Sequence, residues 1–184
     1  YFNSQPIESV LMVSTILGAI SFASHFAALR GRSLKAYWRD EECRTLLFVL
    51  AASIVSVSVY LWQMQFYPTL QDAFRFVSFN FVSIGLASGY ANTDFNQWPL
   101  IASLWMFFLA NVLVSSGSTG GGIKAVRAIV LFKFSLREMT LLLHPKAVRT
   151  VKVNGRSIPE RTALTVLAFL FVYFMTIVLF TFLM

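Results

Sequence analysis

Residues 68–98 read PTLQDAFRFVSFNFVSIGLASGYANTDFNQW, and how this stretch enters and leaves a helix decides the fold. Thr69 is placed to be an N-cap, with Asp72 three residues on as its capping-box partner. The pattern predicts a helix to about Asn80, which at about 1.5 Å per residue covers roughly half a bilayer. Phe81 to Tyr90 then carries Gly85 and Gly89 without a continuing helical stripe, and Ala91 to Gln97 must return the chain outward. Non-helical backbone at membrane depth is tolerated only where it is buried in protein or lines a watery cavity. Ion filters use this arrangement: carbonyls replace a cation's hydration shell, glycine supplies unusual φ values, and the helix C-terminus points partial negative charge at the ion. A packed re-entrant loop, or an interfacial helix with an outer turn, fits the same pattern.

The flanks are those of a membrane protein. The 184 residues are 57% hydrophobic and 12% charged, against about 25% charged in an ordinary soluble domain, which is too little polar surface for a water-soluble globule or a soluble enzyme. Residues 9–29, 45–67 and 162–184 contain no Asp, Glu, Lys or Arg, and each is long enough to cross about 30 Å of hydrocarbon. The single Cys43 excludes an internal disulfide and a paired-cysteine metal site. Of 15 Lys and Arg, five lie in residues 30–44 and nine in 124–161, with Arg75 alone elsewhere. Both basic segments are therefore expected in the cytoplasm and residues 68–98 outside. With the charge flanking spans and no polar domain to carry it, nucleic acid is not an expected partner.

A fourth apolar run, from Trp98-Pro99 to about Phe134, is too long for one crossing, with Pro99 suited to a first helical turn and Trp98 and Trp105 to an interface. Within it, residues 115–124 read Ser-Ser-Gly-Ser-Thr-Gly-Gly-Gly-Ile-Lys. Gly117, Gly120, Gly121 and Gly122 together disfavour helix by about 4 kcal/mol relative to alanine. A phosphate loop is excluded because Ile123 separates Gly122 from Lys124 and Ala125 follows the lysine. A descent of about 24 Å from Pro99 puts this break in the inner part of the membrane, as a gate in an ion path or as a close-packing kink.

Other candidates carry less. His25 has no partner ligand at helical spacing and is expected to be packed or interfacial, and His144 before Pro145 should end a cytoplasmic helix. Asp40-Glu41-Glu42 is expected as a solvated link and N-cap. Val151 to Ile158 alternates about Asn154-Gly155, the pattern of a type I′ hairpin that stabilises the cytoplasmic face or docks a partner. No nucleophile with a base, paired carboxylates, metal cluster, intramembrane charged pair or signal peptide is evident.

Several of these stretches, with Tyr1-Phe2-Asn3-Ser4 and Ile7-Glu8, Ser83-Ile84-Gly85 through Gly89-Tyr90, Thr93-Asp94-Phe95, Trp98-Pro99, residues 117–124, Arg127, Arg137-Glu138, His144-Pro145, residues 151–156 and Pro159-Glu160-Arg161, carry a resemblance over essentially the whole chain. They resemble the Trk/Ktr/HKT superfamily of potassium transporters, above all its TrkH-type membrane subunits. The resemblance implies an all-α membrane protein built on an M1-P-M2, potassium-channel-like pore repeat with flanking transmembrane helices. Four such repeats would surround one pore in the whole chain. Residues 1–30 would end the second repeat, 31–44 link it in the cytoplasm, and 45–134 form a complete third repeat with pore helix and filter at 69–90. Residues 135–161 would be a cytoplasmic segment with the hairpin, and 162–184 the first helix of the fourth repeat.

The resemblance places the filter on Leu86, Ala87, Ser88 and Gly89, with K⁺ at Ala87, Ser88 and Gly89. It places the gate on residues 115–122, namely Gly117, Ser118, Thr119, Gly120, Gly121 and Gly122, followed by Lys124. Many relatives carry threonines before the filter glycine, so Leu86-Ala87-Ser88 is a departure that bears on K⁺ over Na⁺ discrimination. No cofactor is implied, and the transported ion is K⁺ or also Na⁺. The implied partners are membrane lipid, the other repeats, a second copy in a homodimer, and a cytoplasmic nucleotide-binding ring of the TrkA kind. The implied location is the bacterial inner membrane, as a multi-pass protein. The other function class is an ion-coupled symporter with a midplane site at a broken helix.

Overall fold

The run over 9–29, expected as one crossing, is two helices: α1 (Gln5–Ala19) and α2 (Phe22–Gly31) meet at 95°. The break lies at Ile20 and Ser21, both with extended ψ. This is a computed structural model describing residues 4–144 and 150–183, so Tyr1 to Asn3, Pro145 and Met184 lie outside the described residues. After α3 (Lys35–Arg39) comes α4 (Glu41–Gln63), which is long and apolar enough to cross a membrane. Asp40 caps it as expected, accepting the Glu42 N–H at 3.0 Å, and its second carboxylate oxygen takes the Ser24 hydroxyl of α2. His25 is packed, contacting the Tyr37 hydroxyl at 3.0 Å and the Leu17 carbonyl at 2.8 Å.

The decisive helix, α5 (Leu70–Gly85), starts as its sequence requires: Thr69 Oγ1 accepts the Asp72 N–H at 3.1 Å and donates to the Asp72 carboxylate at 2.6 Å. It continues five residues past Asn80 because Phe81, Val82 and Ser83 are all buried and hold the helical path. At about 1.5 Å per residue it is about 24 Å long. Leu46, Leu50, Ile54, Val57 and Leu61 form one stripe of α4, packed in a core with Ala73, Val77 and Phe81 of α5 and with Ala102, Met106 and Leu109 of α6 (Leu100–Val112). In lipid the driving force is close packing rather than escape from water, and small residues such as Ala73 and Ser53 allow it. A bulky side chain at Ala73, fully buried, would separate the helices. The opposite face of α4, with Phe48, Val55 and Trp62, is exposed.

Trp98 is buried, stacks on Phe81, and donates to the Tyr67 hydroxyl at 3.1 Å. A charged pair does exist, since Arg75 of α5 grips Glu8 of α1 in a two-pronged contact at 2.9 and 2.8 Å with Glu8 buried. The Phe95–Gln97 3₁₀ turn, capped by Asp94, leads into α6.

The chain divides into two compact units, 1–125 and 126–184. α7 (Ala125–Leu143) runs through residue 134 without interruption. In the second unit β1 (Lys152–Val153) and β2 (Arg156–Ser157) pair antiparallel, with Asn154 and Gly155 at φ 49° and 76°, the type I′ geometry expected. Val151 and Val153 pack with Ile129, Val130 and Phe134 of α7 and Ala163 of α8 (Glu160–Leu183). The Arg127 guanidinium lies 4.1 Å over the Phe169 ring, and Lys133 Nζ donates to the Lys152 carbonyl at 2.7 Å. α8 is the second helix long and apolar enough to cross a membrane. α7 ends before His144, as expected.

Candidate ion pathway

Beyond Gly85, five successive N–H groups turn back onto the end of α5. Leu86 donates to Val82 O at 3.2 Å, Ala87 to Ile84 O at 2.9 Å, Ser88 and Gly89 to Ser83 O at 2.7 and 3.2 Å, and Tyr90 to Ser83 Oγ at 2.7 Å. In a planar trans peptide the C=O points opposite the N–H, so the carbonyls of Leu86, Ala87, Ser88 and Gly89 face away from the helix end. Ala87 to Tyr90 are exposed while Leu86 is buried. Ala87 and Gly89 have φ of 63° and 85°. For Ala87 this left-handed conformation costs about 1 kcal/mol, strain of the kind held at functional sites. A Cβ on Gly89 would meet nothing within 4 Å, so this position requires glycine for its φ and not for space.

The glycine segment separates α6 from α7, as the sequence predicts, and it seats in the break between α1 and α2. A broken helix leaves carbonyls without partners at one end and N–H groups at the other. Here Ser115 N–H donates to Ala19 O at 3.1 Å, Thr119 N–H and Oγ1 to Gly18 O at 3.3 and 3.1 Å, and Gly117 O accepts the Phe22 N–H at 3.1 Å. The loop and the 95° bend thus complete each other. Gly122, at φ 90°, could carry no side chain, because a Cβ would lie 2.6 Å from the Asn111 carbonyl oxygen. A Cβ on Gly120 would lie 2.6 Å from Val114 Cγ1, while Gly121 has open space. Ser118 Oγ donates to Ser115 O at 2.6 Å, and Lys124 Nζ folds back to the Gly120 carbonyl, closing the loop upon itself.

Glu42 is not the solvated residue expected. It is 6% exposed, and its carboxylate accepts the Ser116 N–H at 2.6 Å and the Ser116 hydroxyl at 2.7 Å. The expected site residues therefore form two groups with separate anchors: Leu86 to Gly89 on the end of α5, and Gly117 to Lys124 on the α1–α2 break and Glu42.

A family model described as TrkH, cation transport protein, matches residues 1–184. This chain belongs to that family. It is 40% identical to the Trk system potassium uptake protein TrkH of Halomonas elongata over 94% of its own length and 36% of that protein's. Against the protein of the same name from Escherichia coli K12 the identity is 33%, with the same shares. The crystal structure of the potassium transporter TrkH from Vibrio parahaemolyticus superposes with a TM-score of 0.91 at 34% identity, covering 97% of this chain and 39% of that one. The chain thus spans a little over a third of the relatives it matches, and its fold is that of an all-α membrane protein of this family.

Sequence reasoning missed Glu42, the Glu8–Arg75 pair and the left-handed Ala87. Glu8 and Arg75 do carry one usable signal, since each is a charge at the edge of or within a largely apolar stretch, whereas Glu42 is one of several charges in residues 39–44 and nothing in the sequence singles it out. Ala87 carries none, because alanine is not a residue type that seeks positive φ.

Proposed function

We propose that this chain contributes one pore repeat to a K⁺ uptake pathway in the bacterial inner membrane. The carbonyls of Leu86, Ala87, Ser88 and Gly89 would coordinate the ion, and the loop from Gly117 to Lys124 would act as an intramembrane gate. One observation carries the reading: four consecutive carbonyls are turned outward together because the paired N–H groups are committed to the end of α5. That exposed edge is oxygen-rich and uncharged, the chemistry that replaces a K⁺ hydration shell. The TrkH names of the relatives support potassium as the ion. The remaining repeats, a second copy, and a nucleotide-binding regulatory ring on the basic cytoplasmic face belong to the same proposal.

The test is Gly89→Asp in the full-length protein, reconstituted in proteoliposomes. K⁺ flux should collapse or lose its preference over Na⁺, because a residue with a Cβ disfavours φ 85° and the added carboxylate competes with the carbonyls. Unchanged flux and K⁺/Na⁺ ratio at normal insertion levels would refute the filter. The symporter reading has its site at the helix that the glycines break, yet that loop is engaged with the backbone groups freed at the α1–α2 break, which favours a gate over a substrate site. K⁺ flux unaffected by an imposed proton or Na⁺ gradient is the expected outcome for the channel-like pathway.

A further inference from the structure

Asn80 is fully buried in the middle of α5, where a polar amide costs free energy unless it is hydrogen-bonded. Its Nδ2 donates to the Phe76 carbonyl at 2.8 Å, which fixes the orientation of the amide, and to Asn92 Oδ1 at 2.6 Å. Among the described residues, Asn80 Oδ1 and Asn92 Nδ2 are buried without a hydrogen-bond partner. The pair is thus only half satisfied. A leucine in the same place would avoid that penalty, so the amide needs a reason other than stability.

Its position supplies one. Asn80 and Ser83 are three residues apart on the same face of α5. Ser83 holds the inner edge of the exposed carbonyl segment through its bonds to Ser88, Gly89 and Tyr90. Asn80 holds the segment's return at Asn92, two residues beyond Tyr90. The four outward carbonyls are therefore bracketed by two polar attachments to one helix face, and nothing in the chain between Tyr90 and Asn92 is itself helical.

We propose that Asn80 and Asn92 form a positioning clamp that sets the spacing of the Leu86–Gly89 carbonyls and thereby the discrimination between K⁺ and Na⁺. Neither side chain touches the ion. This rests on the filter reading above. The clamp also offers this sequence, which has Leu86-Ala87-Ser88 before the glycine, a means of stiffening the segment from behind.

The experiment measures K⁺ and Na⁺ flux in proteoliposomes of the full-length protein for Asn92→Leu, Asn92→Asp, Asn80→Leu and the double leucine variant, with Gly89→Asp beside them. Asn92 is only partly buried and lies outside the helices, so Asn92→Leu tests the clamp even where Asn80→Leu does not fold. The K⁺/Na⁺ ratio should fall about three- to tenfold in Asn92→Leu, the range expected for loss of one neutral hydrogen bond. Asn92→Asp, which keeps an acceptor for Asn80 Nδ2, should recover most of the ratio, and the double variant should be no worse than the single ones. A parental ratio in Asn92→Leu while Gly89→Asp loses it overturns the clamp and leaves the filter standing. A parental ratio in both overturns the filter reading and the clamp together. Equal loss in Asn92→Leu and Asn92→Asp also overturns the clamp, since the acceptor would then be irrelevant.

Discussion

Replacing Glu42 by alanine should loosen the glycine loop by an amount that follows from the contacts it makes. The carboxylate receives two donors from Ser116, the N–H at 2.6 Å and the hydroxyl at 2.7 Å. Hydrogen bonds to a charged group contribute about 1.5–3 kcal/mol each, and Ser116 is only half-buried, so water replaces part of the loss. The net change for the pair is then about 2–3 kcal/mol, a shift of about 30- to 150-fold between seated and released loop. The attachments to Gly18, Ala19 and Phe22 remain, so the loop opens more often without unfolding. Hydrogen–deuterium exchange of the full-length protein in lipid nanodiscs should show protection of the Ser115 and Thr119 amides falling by about that factor. K⁺ flux without the cytoplasmic regulator should rise in parallel. Glu42→Gln, which keeps one acceptor oxygen, should lie between. Parental exchange in Glu42→Ala would show that the carboxylate does not hold the loop, and faster exchange with unchanged flux would refute the gate.

Three further outcomes are expected. Gly122→Ala should disrupt the loop, through both φ 90° and a 2.6 Å collision with the Asn111 backbone, whereas Gly121→Ala should be tolerated within about 0.5 kcal/mol; equal effects on Tm and flux would contradict the loop geometry. Glu8→Ala should destabilise by about 2–4 kcal/mol because it removes the buried carboxylate that the Arg75 guanidinium grips with two hydrogen bonds, and the Glu8→Gln, Arg75→Gln double variant should be less harmful than the single alanine; a thermal shift assay in detergent checks the order. Gly155→Val keeps every charge but strains φ 76°, and should weaken pull-down of the regulatory ring while leaving binding to anionic vesicles unchanged; undiminished pull-down would mean the hairpin is not a docking element.

What could be read in the residues was local. The Thr69–Asp72 cap, the type I′ turn at Asn154-Gly155, the Asp40 cap and the glycine interruption all act within about four positions, a range over which side chain and backbone chemistry alone set the geometry. The span lengths and the basic segments follow from the thickness and charge preferences of the bilayer. The end of α5 lies beyond what local sequence specifies, because burial of Phe81 to Ser83, and not helix propensity, carries it to Gly85. The 95° bend, the buried Glu42 and the Glu8–Arg75 pair needed the tertiary structure. Their partners lie 101, 74 and 67 residues away along the chain, and which distant N–H or guanidinium meets a given carbonyl or carboxylate depends on how whole helices pack. With no proline at or near the break, α1 ends at Ile20 because a second backbone is there to take up its freed hydrogen-bonding groups, and nothing within residues 9–29 records that.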